Sequence, residues 1–79
     1  MDEKFKVLYG LHRIVTTTTS VQTRLMKAYT DGKPDITLTV NELGIRGRDF
    51  TYRIYGSDGQ KNFEDAVRHL TDIIKLKTA

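Results

Sequence analysis

The fold follows from the segment 62–76, which reads NFEDAVRHLTDIIKL. Its apolar residues recur at intervals of three and four, the spacing of one face of an α-helix: Phe63, Ala66, Val67, Leu70, Ile73 and Ile74. Asn62 is a favourable residue for capping the first free amides, and Glu64 and Asp65 lie at the positive end of the helix dipole. We therefore predict an amphipathic helix over residues 62–76.

Two segments before this helix alternate with a period of two, as strands do. Residues 50–55, FTYRIY, combine aromatic and β-branched side chains. Residues 35–40, DITLTV, place isoleucine, leucine and valine on one face and two threonines on the other. Both segments are predicted to be strands. The piece between them, residues 41–49, is predicted to be a longer loop that Leu43 and Ile45 hold partly under the sheet.

The first half of the chain is also predicted to be extended. Residues 5–11 alternate apolar and other side chains, and residues 14–19, IVTTTT, form a β-branched run that disfavours a helix. Two strands are expected here, with a break near His12 and Arg13. Residues 20–30 fit two interpretations, a short helix capped by Ser20 or the first strand of a hairpin with residues 36–40. We favour the hairpin.

These elements predict an α+β fold in two layers. An antiparallel meander of three to four strands is followed by one C-terminal amphipathic helix packed on one face of the sheet. The length of 79 residues corresponds to a single small domain, residues 1–79. One face of the sheet is expected to remain uncovered.

Composition excludes several classes of function. The chain has no cysteine, which excludes a disulfide scaffold, a thiolate zinc site and a cysteine nucleophile. Thirteen Lys and Arg against ten Asp and Glu give a net charge of +3, a mild excess that favours polyanions only weakly. The apolar runs are far shorter than the ~20 residues of a membrane-spanning helix, and the first residues lack the pattern of a signal peptide. We expect a cytoplasmic protein with no membrane partner.

Few residues are suited to catalysis. The only histidines are His12 and His69, and neither lies in a motif typical of nucleophilic catalysis. Asp65, His69 and Asp72 share one side of the predicted helix, but a metal site needs further ligands that the sequence does not place nearby. This side is expected to be a solvated helix face. We predict that the protein is not an enzyme and uses no metal or cofactor.

The uncovered sheet face and the adjoining loop over residues 44–49, which contains Arg46 and Arg48, carry the candidate binding residues. If Phe50, Tyr52 and Ile54 face the helix, the alternate residues of the same strand face outward beside the threonines of residues 35–40. Arginine, tyrosine and threonine then provide phosphate pairing, base stacking and hydrogen bonding on one surface. The predicted site consists of Arg46, Arg48, Arg53, Tyr55, Thr37 and Thr39.

We therefore predict a small non-enzymatic nucleic-acid-binding module for single-stranded DNA or RNA. The alternative is a protein-binding adaptor or inhibitor, because tyrosine and arginine are also enriched at protein interfaces. An open strand edge around Thr16–Thr19 would allow this alternative to form a homodimer. Small compact chains of this size and composition occur in phages and accessory bacterial genomes as regulators, which favours a regulatory role. An ordinary solvated sheet face would have the same residue types.

Overall fold

The computed structural model describes residues 3–78, with the side chains of all of these except residues 45, 77 and 78. The elements are, in chain order, α1 (Glu3–Thr18), β1 (Gln22–Thr30), β2 (Lys33–Asn41), α2 (Leu43–Arg46), β3 (Phe50–Arg53) and α3 (Gly59–Thr78). The protein is therefore an α+β fold built from a three-stranded sheet, two long helices and one short helical turn.

The sheet is antiparallel with the strand order β1-β2-β3. β1 and β2 pair over their full nine residues, from Gln22 opposite Asn41 to Thr30 opposite Lys33. Asp31 and Gly32 connect them with φ angles of 52° and 76°. Positive φ at both central residues is typical of the two-residue turn that matches the twist of paired strands. The hairpin interpretation of residues 20–30 is confirmed, and the short-helix interpretation is wrong.

The core lies on one face of the sheet. Ile36, Leu38 and Val40 of β2 are buried against Leu8 and Val15 of α1 and against three residues of α3: Ala66, Leu70 and Ile73. Both long helices therefore cover the same face. The other face is left open, as the sequence predicts, although two helices rather than one cover the core.

The largest error of the sequence prediction lies in residues 3–18, which form a helix and not two strands. Phe5, Leu8, Leu11 and Val15 recur at helical spacing, and all four are buried or packed against the core. Burial of this stripe outweighs the low helix propensity of the β-branched run. The hydroxyls of the four threonines at positions 16–19 donate to carbonyl oxygens three or four residues earlier: His12, Arg13, Ile14 and Val15. No strand edge exists at Thr16–Thr19.

The helix α3 begins three residues earlier than predicted, at Gly59. Asn62 therefore lies inside the helix, where its side-chain amide donates to the carbonyl oxygen of Arg53 at 2.9 Å instead of capping. Gly59 packs directly on the backbone of Ile54, so close that a Cβ at this position would collide with the Ile54 carbonyl. The end of β3 and the start of α3 are thus fixed against each other.

The loop predicted over residues 41–49 contains the helical turn α2, which ends at Arg46 and is capped by Gly47 with a φ of 80°. The carboxylate of Asp49 accepts hydrogen bonds from the backbone N–H groups of Glu42 and Leu43 at 3.1 and 3.2 Å. Leu43 is 67 % exposed and is not tucked under the sheet. The side chain of Ile45 lies outside those that the structure describes.

The far end of the β1–β2 hairpin is exposed along β1 and the turn, whereas Pro34 and Asp35 of β2 are half-buried and line a surface depression with Arg53, Tyr55 and Gly56. β3 pairs with β2 only from Thr37 to Val40, and eight consecutive residues from Met26 to Lys33 are exposed.

Among residues 3–78, no helix combines the length and apolar character needed to cross a bilayer.

Candidate functional site

The open sheet face brings together three of the predicted site residues. The register places Arg24, Thr39 and Thr51 in one row across the strands, and Met26, Thr37 and Arg53 in the next. Arg24, Thr51 and Arg53 are exposed, whereas Thr37 and Thr39 are half-buried in the central strand. We call the group Arg24, Lys33, Thr37, Thr39, Thr51 and Arg53 the open face. Its centre carries hydroxyls and its margins carry cations.

The charge of the open face is positive. Arg24, Lys33 and Arg53 are its cations, and Asp35 is the one carboxylate on this side of the described strands. Asp35 Oδ2 lies 3.5 Å from a guanidinium nitrogen of Arg53, whose side chain is exposed. For Arg24 and Lys33, no hydrogen bond or ion pair is formed with any described side chain. Their charges are therefore available to a ligand.

Arg46 and Arg48 lie at one end of the sheet, in α2 and the residues that follow it. Nε of Arg46 is 3.0 Å from Oε2 of Glu42, and the Arg48 guanidinium lies 4.3 Å from the centre of the Phe50 ring. Both arginines line a shallow groove of about 420 Å³ between β3 and α3. Arg68 and three aspartates also line it: Asp49, Asp65 and Asp72. The charges in this groove balance, so it does not concentrate positive potential.

A buried hydrogen-bonded chain forms the floor of this groove. His69 lies between Glu42 and Tyr52, at 2.8 Å from Oε1 of Glu42 and 2.8 Å from the Tyr52 hydroxyl. A carboxylate only accepts, so Nε2 of His69 donates to Glu42, and in the neutral ring Nδ1 accepts from Tyr52. Phe50 packs edge-on against the imidazole at 4.8 Å. The expectation that His69 lies on a solvated helix face is wrong, because α3 turns this residue toward β3.

The electrostatics of the groove favour a structural role for Tyr52. Burial raises the pKa of the Tyr52 phenol above 10.0, and the charges of Asp65 and Glu42 raise it further. A phenol of this kind keeps its proton and donates a hydrogen bond to Nδ1 of His69. Asp65 is held by Lys61 at 2.9 Å, and this hydrogen bond lowers the pKa of the Asp65 carboxyl. Within residues 3–78, no three His, Asp or Glu side chains come close enough together to hold a metal ion.

Tyr55 is not part of the open face. It follows the end of β3, is half-buried and packs against the core, and Nζ of Lys4 lies 5.8 Å from its ring centre. The remaining aromatic residues of β3, Phe50 and Tyr52, point to the helix side. The described strand residues of the open face therefore include no aromatic ring, and the predicted stacking platform is absent.

Sequence reasoning missed two cations of the open face, Arg24 and Lys33. The side chains of residues 22–30 alternate between the two faces of the sheet, and this alternation puts Arg24 on the open face. The face of Arg24 can be assigned only once this segment is known to pair with β2. Lys33 is the first residue after the two-residue turn, and the register places it opposite Thr30.

Comparison of the chain with models of known protein families, with curated proteins and with solved structures gives no match. The geometry of the open face and of the groove therefore carries the functional inference.

Proposed function

We propose that this protein is a small non-enzymatic module that binds nucleic acid through the sugar-phosphate backbone. The observation that carries this proposal is the open face, where Arg24 and Arg53 on the outer strands lie beside the threonine hydroxyls of the central strand and Lys33 lies at the turn end of β2. Of the residues predicted from the sequence, the proposed site keeps Arg53, Thr37 and Thr39. Arg46 and Arg48 line the charge-balanced groove between β3 and α3, and Tyr55 packs against the core.

The chemistry of these residues suits phosphate groups. Arginine pairs with phosphate oxygens by charge-assisted hydrogen bonds, and threonine hydroxyls donate to the same oxygens. Neighbouring strands are ~4.8 Å apart, so the three strands offer a surface about 10 Å wide between their outer backbones. A nucleic-acid backbone can lie along this surface and contact cations on both margins.

The chemistry of the open face also implies the type of recognition. Proteins that hold single strands firmly stack bases on aromatic side chains, and the open face offers none in its described residues. Contacts to phosphates position a nucleic acid but carry no information about its sequence. We therefore expect binding that depends strongly on salt and weakly on base sequence.

In this proposal the groove beside β3 has a structural role. The hydroxyl of Tyr52 is engaged by His69, and its raised pKa opposes the phenolate that nucleophilic attack requires. We assign Glu42, His69 and Tyr52 to the stability of the groove and to the placement of Arg46.

The direct experiment is fluorescence anisotropy with labelled single-stranded DNA, duplex DNA and RNA at several salt concentrations. The slope of log affinity against log salt counts the phosphates engaged, at about 0.7 to 0.9 per phosphate. Arg24→Glu with Arg53→Glu should abolish measurable binding at physiological salt. The matched control is Lys6→Glu with Arg13→Glu, which makes the same change of net charge on α1, in the other layer. An equal loss in both double variants would overturn the assignment to the open face.

A second candidate function, pairing of β1 with another protein strand, is favoured by a separate observation. β1 is an edge strand of nine residues on which Met26 and Tyr29 are 54 % and 66 % exposed. Such an edge presents unpaired backbone groups to another chain. Light scattering over a range of protein concentrations tests the homodimer, and a constant monomer mass argues against it.

A further inference from the structure

The two edges of the sheet differ in length and in protection. β3 has four residues at one edge, whereas β1 has nine at the other and pairs with β2 one-to-one, without a bulge. Proteins usually protect a long edge with proline, a bulge or a charged side chain. β1 contains no proline, and its cation on the helix side, Lys27, lies with Nζ 5.1 Å from the ring centre of Phe5 and 5.7 Å from that of Tyr29. The edge of β1 is therefore open to another strand.

The hydrogen bonds of β2 show which backbone groups of β1 point to this edge. The carbonyl oxygen of Ile36 accepts from the N–H of Ile54 at 2.9 Å, so the backbone groups of Ile36 point toward β3. Lys27, which lies opposite Ile36 in β1, is then in a non-hydrogen-bonded pair, and its own N–H and C=O point to the free edge. The same holds for the alternate residues of β1: Thr23, Leu25 and Tyr29.

We infer that two copies of this chain pair antiparallel through β1, with Met26 beside the Met26 of the other copy at the two-fold axis. The two open faces then form one continuous surface of six strands. The pairing develops the second candidate function, and the role of the joined surface rests on the proposed binding of nucleic acid.

The backbone of β1 complements itself in this register. Met26 is the central residue of the strand, so this register pairs β1 over its full nine residues. Two-fold symmetry requires a surface that matches its own copy. Here the residues that point to the free edge form hydrogen-bonded pairs, in each of which two backbone hydrogen bonds are exchanged: Thr23 with the partner's Tyr29, and Leu25 with the partner's Lys27.

The charges of the two copies also complement each other. Arg24 lies opposite the partner's Ala28, a small side chain, and the next residue of that row is the partner's Asp35. Arg24 has no ion pair with a described side chain, so its charge attracts this carboxylate across the shared edge. Lys27 lies opposite an uncharged residue, and its contact with the Tyr29 ring directs Nζ away from the axis.

Pairing covers the two exposed apolar side chains of β1. Met26 and Tyr29 are 54 % and 66 % exposed. The two Met26 residues lie in a non-hydrogen-bonded pair, where side chains approach most closely. Tyr29 lies beside the partner's Thr23, whose hydroxyl interacts with His12 of α1. The Tyr29 ring therefore continues the ring contact of Tyr9 with His12, whose centres are 6.4 Å apart.

The joined surface extends the proposed binding site across both copies. Arg53, Thr37 and Met26 lie in one row, which the axis continues through the same three residues of the partner. Six strands at ~4.8 Å spacing give a face about 24 Å wide between the outer backbones. A nucleic-acid strand that crosses this face meets the cations of both copies, so the dimer engages more phosphates than one chain does.

A cysteine at the axis tests both the pairing and its register. The chain has no cysteine, so Met26→Cys introduces one thiol per copy. The two Cα atoms at the axis should lie ~4.5 Å apart, a distance that a disulfide bridges. In oxidised glutathione, most of Met26→Cys should become a disulfide-linked dimer on a non-reducing gel. Thr51→Cys, at an exposed position of β3, is the control and should stay monomeric. Equal cross-linking of the two variants would overturn the inference.

Light scattering over a range of concentrations measures the pairing without a cross-link. The mass of the wild type should rise from 9.1 kDa toward twice this value. Met26→Lys places two ammonium groups beside each other at the axis and should stay at the monomer mass, whereas Thr51→Lys, with the same charge change on β3, should dimerise as the wild type does. A constant wild-type mass would leave the β1 edge to a strand of a different protein and overturn the inference. Equal dimerisation of the two lysine variants would also overturn it.

Nucleic-acid binding by Met26→Cys separates this inference from the proposed function. Anisotropy with labelled single-stranded DNA compares the disulfide-linked dimer with the reduced protein, diluted until it is monomeric. The linked dimer should bind at least about tenfold more tightly and with a steeper slope of log affinity against log salt, because it engages phosphates on two open faces. If the linked dimer binds no more tightly than the monomer, the joined surface is wrong and the proposed function stands. If the dimer forms but no nucleic acid binds at low salt, the proposed function is wrong and the pairing stands.

Discussion

Nε2 of His69 in α3 donates a hydrogen bond to Oε1 of Glu42 at 2.8 Å, across 27 residues of sequence. Both residues are buried, and Glu42 also lies 3.0 Å from Nε of Arg46 through its second oxygen. One carboxylate thus joins the C-terminal helix to the short helix that carries a predicted binding residue. The position of Arg46 depends on a contact made far away in the chain.

Removal of the Glu42 carboxylate should destabilise the protein. In Glu42→Ala, the buried N–H of His69 loses its acceptor, and we expect a loss of about 2 kcal/mol in the free energy of unfolding. Urea denaturation followed by circular dichroism measures this loss. Glu64→Ala on the exposed side of α3 is the control and should change stability by less than about 0.5 kcal/mol. A similar loss of unfolding free energy in both variants would show that the Glu42–His69 hydrogen bond stabilises the protein no more than an exposed glutamate does.

Replacing Gly10 or Gly59 with alanine should change the stability of the protein in opposite directions. Gly10 is in the middle of α1, and a Cβ there meets no atom within 4 Å. Gly10→Ala should therefore raise stability by about 0.5 to 1 kcal/mol, since glycine in a helix interior costs that much. Gly59→Ala should lower stability, because the added Cβ would collide with the carbonyl of Ile54. Thermal melts of the two variants should move to either side of the wild-type midpoint, and shifts in the same direction would contradict the packing of Gly59.

Two leucines test the placement of the core. Leu38 is fully buried in β2, whereas Leu43 in α2 is 67 % exposed. Leu38→Ala should cost about 2 to 5 kcal/mol through lost burial and a cavity. Leu43→Ala should change the free energy of unfolding by less than about 0.5 kcal/mol. If Leu43→Ala proved as costly as Leu38→Ala, the loop would be tucked under the sheet after all.

Acid should weaken the fold in part through His12, which interacts through Nδ1 with the Thr23 hydroxyl. Burial lowers the pKa of His12 below 6.5, so the unfolded chain binds the proton more tightly than the folded protein. The stability that this group contributes is complete above pH 6.5 and is lost as the pH falls through the lower pKa of the folded state. The fall in unfolding free energy between about pH 7.5 and pH 5 should be smaller in His12→Gln than in the wild type. If the unfolding free energy of the wild type and of His12→Gln fell equally with decreasing pH, His12 would not have this role.

The sequence by itself determined the elements whose local pattern and tertiary burial agree. In β2, Ile36, Leu38 and Val40 alternate with threonine, and in α3 the apolar residues recur at helical spacing, so either element has only one way to bury its apolar side. The open face followed from the same alternation, because threonine and arginine take the positions between the buried residues. The sequence also established the absence of cysteine chemistry.

Tertiary structure alone decided the helix at residues 3–18 and the composition of the functional surface. The run of β-branched residues from Ile14 to Thr19 disfavours a helix locally, and α1 exists because Leu8 and Val15 bury against strands and a helix that come later in the chain. Tyr55 packs inward because β3 ends at Arg53, and His69 meets Glu42 because α3 turns it toward β3. These outcomes depend on the free energy of contacts between segments that are distant in the chain. The local pattern of apolar residues gives no information about such contacts.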